Sequence, residues 1–368
     1  MQKLAFNLLA QLSDQKNILF SPASLQLALM RAAIGAKGDT RKELLTALGI
    51  LPETGSSLLA SFANDIEARI HEANIHVANA LFVEQTYGLN PQFRELFSGE
   101  SVYPVDFVGN PNGSRRDINK YAANQTQQRI LNLLTDGTID SLTRLVIINA
   151  LYLKLQWLYR FNEARTYADE FHLDGGSTTP IPMMHQTNSN LLFYEDKNFK
   201  ALIMPYTVSN LLRLYVVPQS GVSLSYVERL VSEMGLRGLY EKMATQRDLA
   251  VALPKFTMGW GTHNLVPQLK ALGVKQAFTQ AADFSSMSAN DVADLMIDGV
   301  YQKAWMEDNE LGSEMAVVTA VSTREKAVAM PTSFEANRPF LFFNLLPVGI
   351  DGNFLPLFVG RLSDPRLL

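Results

Sequence analysis

A segment between Trp305 and Phe340 is patterned like a β-strand, of a kind that an ordinary domain would not leave as a loop. It reads Glu310, Leu311, Gly312, Ser313, Glu314, Met315, Ala316, Val317, Val318, Thr319, Ala320, Val321, Ser322, Thr323, then Arg324, Glu325, Lys326 and Ala327. Successive side chains of an extended chain point to opposite faces. One face therefore carries Ser313, Met315, Val317, Thr319, Val321 and Thr323, with no charge and mostly β-branched residues, the type that suits a pleated, half-buried surface. The charges of Glu314 and Arg324 fall on the other face. By pattern alone this is an edge strand that can bury one side.

The rest of the chain reads as one α+β domain spanning 1–368. A length of 368 residues would accommodate two domains. Yet Pro, Gly and Ser are scattered, and no linker, internal repeat or long charge run divides the sequence. Ser21 before Pro22 is a helix start, and the Ala-rich apolar stretch that follows to Ile34 predicts a buried helix. Gly35 supplies its stop. Thr40 with Glu43 has capping-box spacing for a short helix ending at Leu48-Gly49. Residues 75–83 and 211–217 are strand candidates whose imperfect alternation suits a sheet covered on parts of both faces. Helices and strands mix without a regular βαβ rhythm.

Composition excludes several classes of function. With 32 basic and 36 acidic residues the net charge is −4 and no Lys/Arg stripe forms, so nucleic acid is not an expected partner. The absence of cysteine excludes disulfides, thiolate metal sites and cysteine nucleophiles. No run reaches the roughly 18 apolar residues of a membrane helix, so no membrane partner is expected. Leu4, Ala5, Leu8, Leu9 and Leu12 recur at helical spacing, which reads as an amphipathic helix and not a secretory leader. The compartment stays open: extracellular if a leader has been removed, otherwise cytoplasmic. Asn112-Gly113-Ser114 and Asn124-Gln125-Thr126 are glycosylation sequons of a kind that chance supplies often. There is no Gly-x-Ser-x-Gly elbow, His-Glu-x-x-His or phosphate-binding glycine loop. Gly259-Trp260-Gly261 reads as a bend at a strand end, and His71, His76, His172, His185 and His263 lack metal-ligand spacing. Neither catalysis, a metal nor a cofactor is expected.

Ordered motifs along the chain resemble the serpin superfamily of protease inhibitors. Glu310-Leu311-Gly312-Ser313-Glu314 leading into small or uncharged residues resembles the hinge of the serpin reactive loop. Phe334-Glu335-Ala336-Asn337-Arg338-Pro339-Phe340-Leu341-Phe342 is similar to the signature after that loop, and Phe358-Val359-Gly360-Arg361-Leu362-Ser363-Asp364-Pro365 to the closing strand. Upstream, Asn17-Ile18-Leu19-Phe20-Ser21-Pro22-Ala23-Ser24, Gly35-Ala36-Lys37-Gly38-Asp39-Thr40, Ala78-Asn79-Ala80-Leu81-Phe82 and Asn149-Ala150-Leu151-Tyr152-Leu153-Lys154 with Trp157 and Phe161 fit the same family. Leu253-Pro254-Lys255-Phe256 and Leu272-Gly273-Val274 extend the match over essentially the whole chain.

The resemblance implies a serpin fold: a large central sheet, two smaller sheets, about eight to nine helices and an exposed reactive loop at about 310–333. It implies that a serine protease, trypsin-like in specificity, cuts the loop as substrate and is trapped as an acyl-enzyme when the freed strand enters the central sheet; a cysteine protease is the other class of target. The family's spacing from Glu310 puts the reactive bond at Lys326–Ala327, with Arg324 as the alternative. The hinge comprises Glu310, Gly312, Ser313, Glu314, Met315, Ala316, Val317, Val318 and Thr319. Glu310 and Lys255 would pair where insertion begins, with Trp157 packed beneath. Ser21, Ser24, Asn149 and Gln302 would form the polar cluster that controls sheet opening. A monomer that polymerises by loop insertion is implied as well.

Several positions depart from the family pattern. Gln302 replaces the cluster's usual histidine and cannot change charge near neutral pH. Leu155 stands where glycine is usual, and Asn344 where an apolar residue is usual. Met315, Val317 and Val318 are bulkier than the alanines of inhibitory hinges. Residues 57–70 contain Asp65 and Glu67 with only Arg69 as a base, so heparin-type activation is not expected. Two other readings stay open: a non-inhibitory carrier, chaperone or interaction protein whose loop is a simple substrate, and an enzyme on an unrelated fold, for which neither nucleophile nor base stands out.

Overall fold

The computed structural model describes residues 2–73, 75–97, 101–153, 155–188, 190–208, 210–289, 295–312, 332–348 and 353–368. Its helices are α1 (Gln2–Gln11), α2 (Pro22–Gly35), α3 (Gly38–Leu48), α4 (Ser56–Glu72), α5 (Pro91–Arg94), α6 (Pro111–Gln125), α7 (Leu224–Lys242) and α8 (Val266–Ala271). The strands are β1 (Ile18–Phe20), β2 (His76–Glu84), β3 (Val102–Val105), β4 (Leu145–Tyr152), β5 (Thr166–His172), β6 (Thr178–Asn188), β7 (Leu191–Glu195), β8 (Phe199–Pro205), β9 (Leu212–Pro218), β10 (Ala244–Gln246), β11 (Leu249–Pro254), β12 (Phe256–Asn264), β13 (Ile297–Asp308), β14 (Ser333–Glu335), β15 (Phe340–Val348) and β16 (Asn353–Leu362).

Three sheets organise the described residues. Five strands in the order β12-β13-β4-β2-β3 form the central sheet, four in the order β14-β11-β6-β5 form a second, and seven in the order β1-β16-β15-β9-β8-β7-β10 form a third. The third is the largest by strand count only because it gains the three-residue strands β1 and β10 at its edges. Within the central sheet β13 runs antiparallel to β12 but parallel to β4, with Gln302 opposite Asn149 and Trp305 opposite Tyr152.

Local chemistry explains the placement of these elements. Ser21 caps α2 by accepting the Ser24 N–H at 3.2 Å, Pro22 occupies the first turn, and every residue of the helix is buried. The helix packs on one face of the central sheet, beside Leu145, Ile147 and Leu151 of β4. Val146, Ile148 and Ala150 point to the opposite face, into a smaller cluster with Phe82, Phe107, Ile118 and Ala122 under α6. A strand buried on both faces needs no polar side, which is why β4 reads as a continuous apolar run. The larger cluster of buried side chains extends from Leu4 of α1 to Leu362 of β16.

Two local expectations are corrected. The helix after Gly35 ends at Leu48 as expected, but it begins at Gly38 and Thr40 with Glu43 do not cap it. Thr40 Oγ1 accepts the Asp283 N–H at 3.0 Å and Glu43 accepts the N–H groups of Lys275 and Gln276 at 2.6 and 2.7 Å. Unsatisfied amides of a neighbouring loop outcompete the local box. Gly259-Trp260-Gly261 lies inside β12, not at its end, next to a bulge between Trp260 and His263 whose rings stack at 3.8 Å. Of the sequons, Ser114 and Thr126 spend their hydroxyls on the carbonyls of Asp106 and Ala122 at 2.8 and 2.7 Å.

Gly360 on β16 lies opposite Phe342 on β15, and a Cβ there would enter the phenyl ring. Gly360→Ala is expected to destabilise the fold by about 1–3 kcal/mol, the range for overpacked cores, read as a lower urea midpoint at unchanged slope.

Candidate functional site

The strand that leads into the expected loop ends among polar side chains that are unusually well held. Glu310 sits just past the end of β13, and its carboxylate accepts from Lys255 Nζ at 2.8 and 3.1 Å and from Thr166 Oγ1 at 2.8 Å. The Glu310 carbonyl accepts the Phe161 N–H at 2.8 Å. Burial alone would raise the Glu310 carboxyl, but the Lys255 ammonium and the hydrogen bonds around it hold it below its ordinary value. Trp157 brackets the same turn: its indole N–H donates to the Asn309 carbonyl at 3.0 Å and its backbone N–H to the Leu311 carbonyl at 2.9 Å. The indole is stacked on Tyr206 at 4.5 Å. Gly312 follows at φ 127°, a conformation that disfavours any other residue, and a Cβ would collide with the Leu155 carbonyl. The leucine that replaces the usual glycine at 155 buries its side chain in the core and uses only its backbone here.

Beneath Trp157 lies an ion pair that the sequence reading missed. Arg213 of β9 donates to both oxygens of Asp308 at 3.0 and 3.1 Å, and both side chains are wholly buried. Tyr215 donates its hydroxyl to Asp308 at 3.2 Å, while Tyr206 accepts from Arg213 Nε and Asn344 Nδ2, each at 3.1 Å. Burial pushes the Tyr206 phenol up to about 12 and the Tyr215 phenol well above its ordinary value, so both stay protonated. Asn344, out of place by the family signature, thus has a polar partner. Part of the signal was present in the sequence: Arg213 interrupts the otherwise apolar strand β9, and a buried charge calls for a partner, but Asp308 ends a strand that carries other charges and does not stand out.

Lower in the sheet, the residues expected to control opening meet across β4 and β13. Gln302 Nε2 donates to Asn149 Oδ1 at 2.8 Å and to the Ser21 carbonyl at 3.0 Å, and its Oε1 accepts the Ser21 N–H at 3.1 Å. Asn79, not singled out in the sequence, donates to the Ser24 carbonyl at 2.7 Å and to Ser24 Oγ at 3.2 Å. Its own carbonyl accepts from the buried Arg31, which pairs with Glu67 at 2.8 Å. The structure thus brings Glu310, Lys255 and Trp157 together at one place, and Ser21, Ser24, Asn149 and Gln302 at another. Ser313, Glu314, Met315, Ala316, Val317, Val318, Thr319, Arg324, Lys326 and Ala327 lie outside the described residues.

Two measurements probe this site. Asp308→Ala leaves a buried guanidinium unpaired and should lower stability by about 3–5 kcal/mol, whereas the apolar double replacement Arg213→Met with Asp308→Leu should recover most of that loss in denaturant unfolding. The Glu310 carboxyl has a lowered folded value, so its contribution is present above the ordinary carboxylate value of 4.5 and is lost as the pH falls through the folded value. The difference in unfolding midpoint between the natural chain and Glu310→Gln should therefore be full at pH 6 and shrink as the pH falls below 4.5.

Comparison with known proteins identifies the family and the fold. The family model described as "Serpin (serine protease inhibitor)" matches residues 1–365. Intracellular coagulation inhibitor 2 of Tachypleus tridentatus is 30% identical over 90% of this chain and 82% of its own length. The crystal structure of Serpin48 from the insect Tenebrio molitor superposes with a TM-score of 0.84 at 26% identity, covering 98% of this chain and 95% of that one. Human thyroxine-binding globulin superposes with a TM-score of 0.83 at 25% identity, covering 99% and 96%. A chain matched by the family model over residues 1–365, and matched over nearly its whole length by serpins in sequence and in fold, belongs to the serpin family.

Proposed function

We propose that this serpin is a suicide-type inhibitor of trypsin-like serine proteases. The observation that carries the reading is the parallel pairing of β4 with β13. A strand that turns back from the end of β13 and enters between them would run antiparallel to both and complete its hydrogen bonds on each side. Residues from Ser313 onward are the ones joined to that end, and their uncharged face is of the kind a sheet can bury. In this reading the protease's serine attacks the Lys326 carbonyl, the peptide bond to Ala327 breaks, and the nitrogen leaves as the new N-terminus of the C-terminal piece. The acyl-enzyme then travels with the inserting strand and is deformed before water can release it. Lys326 suits a specificity pocket that carries a carboxylate; cutting at Arg324 would give a shorter strand and favour turnover. The chain acts as a monomer in one domain, is consumed as substrate, and catalyses nothing. Entry of one copy's loop into another's sheet would give polymers.

A second reading has its own support. Met315, Val317 and Val318 are bulky where fast insertion calls for small side chains, and human thyroxine-binding globulin, named for the hormone it binds, shares the fold. Slow entry would let the protease deacylate and escape, leaving a cleaved chain whose role is to carry or to bind.

Incubation with trypsin distinguishes the two. A complex that survives denaturing electrophoresis, with a released fragment beginning at Ala327, is expected for the natural chain and for Arg324→Ala, and is expected to be lost in Lys326→Ala. Complete cleavage without complex would select the second reading.

A further inference from the structure

The segment after α6 crosses the outer face of the central sheet and ties four of its five strands together. Thr126 is buried and accepts the Ile130 N–H at 3.2 Å. Gln127 and Gln128 follow at φ 49° and 63°, consecutive side-chain-bearing residues in the left-handed region, which is unfavourable for both. Gln127 reaches β2, where its amide lies 2.9 Å from His76 Nε2. The Arg129 guanidinium sits 5.5 Å from the ring centre of Tyr152 on β4 and 5.1 Å from that of Trp305 on β13. Farther on, Lys303 of β13 donates to the Asn132 carbonyl at 2.9 Å and Thr262 of β12 to the Leu133 carbonyl at 2.6 Å.

We propose that Arg129 is a positioning residue for the inhibitory reaction: it clamps Tyr152 to Trp305 and thereby sets how readily the seam between β4 and β13 opens. The consequence for inhibition rests on the function proposed above; the clamp itself does not. Tyr152 and Trp305 face each other in register across the seam, their rings 5.6 Å apart. A cation gains from a ring face only within about 6 Å of its centre. A strand entering the seam would move β4 and β13 apart by another ~4.8 Å, the spacing of neighbouring strands, and a guanidinium that kept its place over the Trp305 ring would then lie out of reach of Tyr152. Arg129 therefore favours the closed sheet over the opened one, which is the differential contact that any conformational control requires. The strained pair Gln127 and Gln128 opposes it, since lifting the strap releases two unfavourable backbone conformations. Catch and spring thus occupy adjacent residues.

The test is amide hydrogen exchange of the intact chain, followed by mass spectrometry of peptides covering β4 and β13. Arg129 is exposed, so its replacement leaves the core packing untouched. Arg129→Met should exchange about threefold to fivefold faster in these peptides and nowhere else, the size expected for losing an exposed cation–π contact. Arg129→Lys should stay near the natural rate, and adding Arg129→Met to Trp305→Leu should give no further increase. An unchanged rate in Arg129→Met, or equal acceleration in the Lys and Met variants, would overturn the proposal. Trypsin incubation of the same proteins separates it from the function reading. Faster exchange with more complex per cleaved chain supports both; faster exchange without complex in any variant keeps the clamp and rejects the inhibitor.

Discussion

β4 and β13 are parallel neighbours, and buried polar side chains join their backbones in holding the seam together. Their backbones pair along eight positions, from Ile297 opposite Leu145 to Trp305 opposite Tyr152. On the α2 side the seam is crossed by Gln302, which donates to Asn149 Oδ1 and bonds both backbone groups of Ser21. At the lower end Asp298 accepts the N–H groups of Arg144 and Leu145 at 2.7 and 3.1 Å. Buried polar groups of this kind reward one registration and penalise any separation that leaves them unpaired. Because Gln302 carries no titratable proton, that penalty does not vary with pH through this residue.

Two ion pairs at the top of β13 show how burial assigns different tasks to the same chemistry. Arg213 with Asp308 is sealed from solvent and hydrogen-bonded on nearly every side, so breaking it would strand a charge in the core. Lys255 with Glu310 lies two residues farther on, and although the carboxylate is buried the lysine is 42% exposed, so water and salt reach the pair from the lysine side. The first fixes where β13 ends. The second is open to solvent on one side, and it sits just past the end of β13.

Much of this was legible in the sequence because periodicity and capping are local. Ser21-Pro22, the apolar run of β4 and the strands near 76 and 212 follow from short-range patterns, and the motif order gave the fold. The assignment of Glu310 to Lys255 and of Gln302 to Ser21 came from the family likeness; no spacing rule joins residues 281 positions apart. What stayed hidden was the partnering of residues that look ordinary on their own. Thr166 and Asn79 are unremarkable in sequence, and Thr40 with Glu43 fit a local motif that a distant loop displaced. Arg213 was visible as a misfit in an apolar strand, but only the placement of two different sheets shows that Asp308 answers it.

The seven-stranded sheet also constrains the order in which the molecule can be made. Among the described residues β1 pairs with β16 alone, and Asn17 accepts the Ser363 N–H across a sequence separation of 346 residues. Ribosomes add roughly 5–20 residues per second, so β1 waits tens of seconds for its partner. Throughout that interval α1 and α2 are exposed without the strand that covers them, and for its middle part β4 has been made while β13 has not. The nascent chain thus presents an open central sheet well before it owns a loop to fill it, and vacant strand edges are where one chain pairs with another. Quality control during synthesis therefore weighs on this fold at the same seam that its mature form keeps closed.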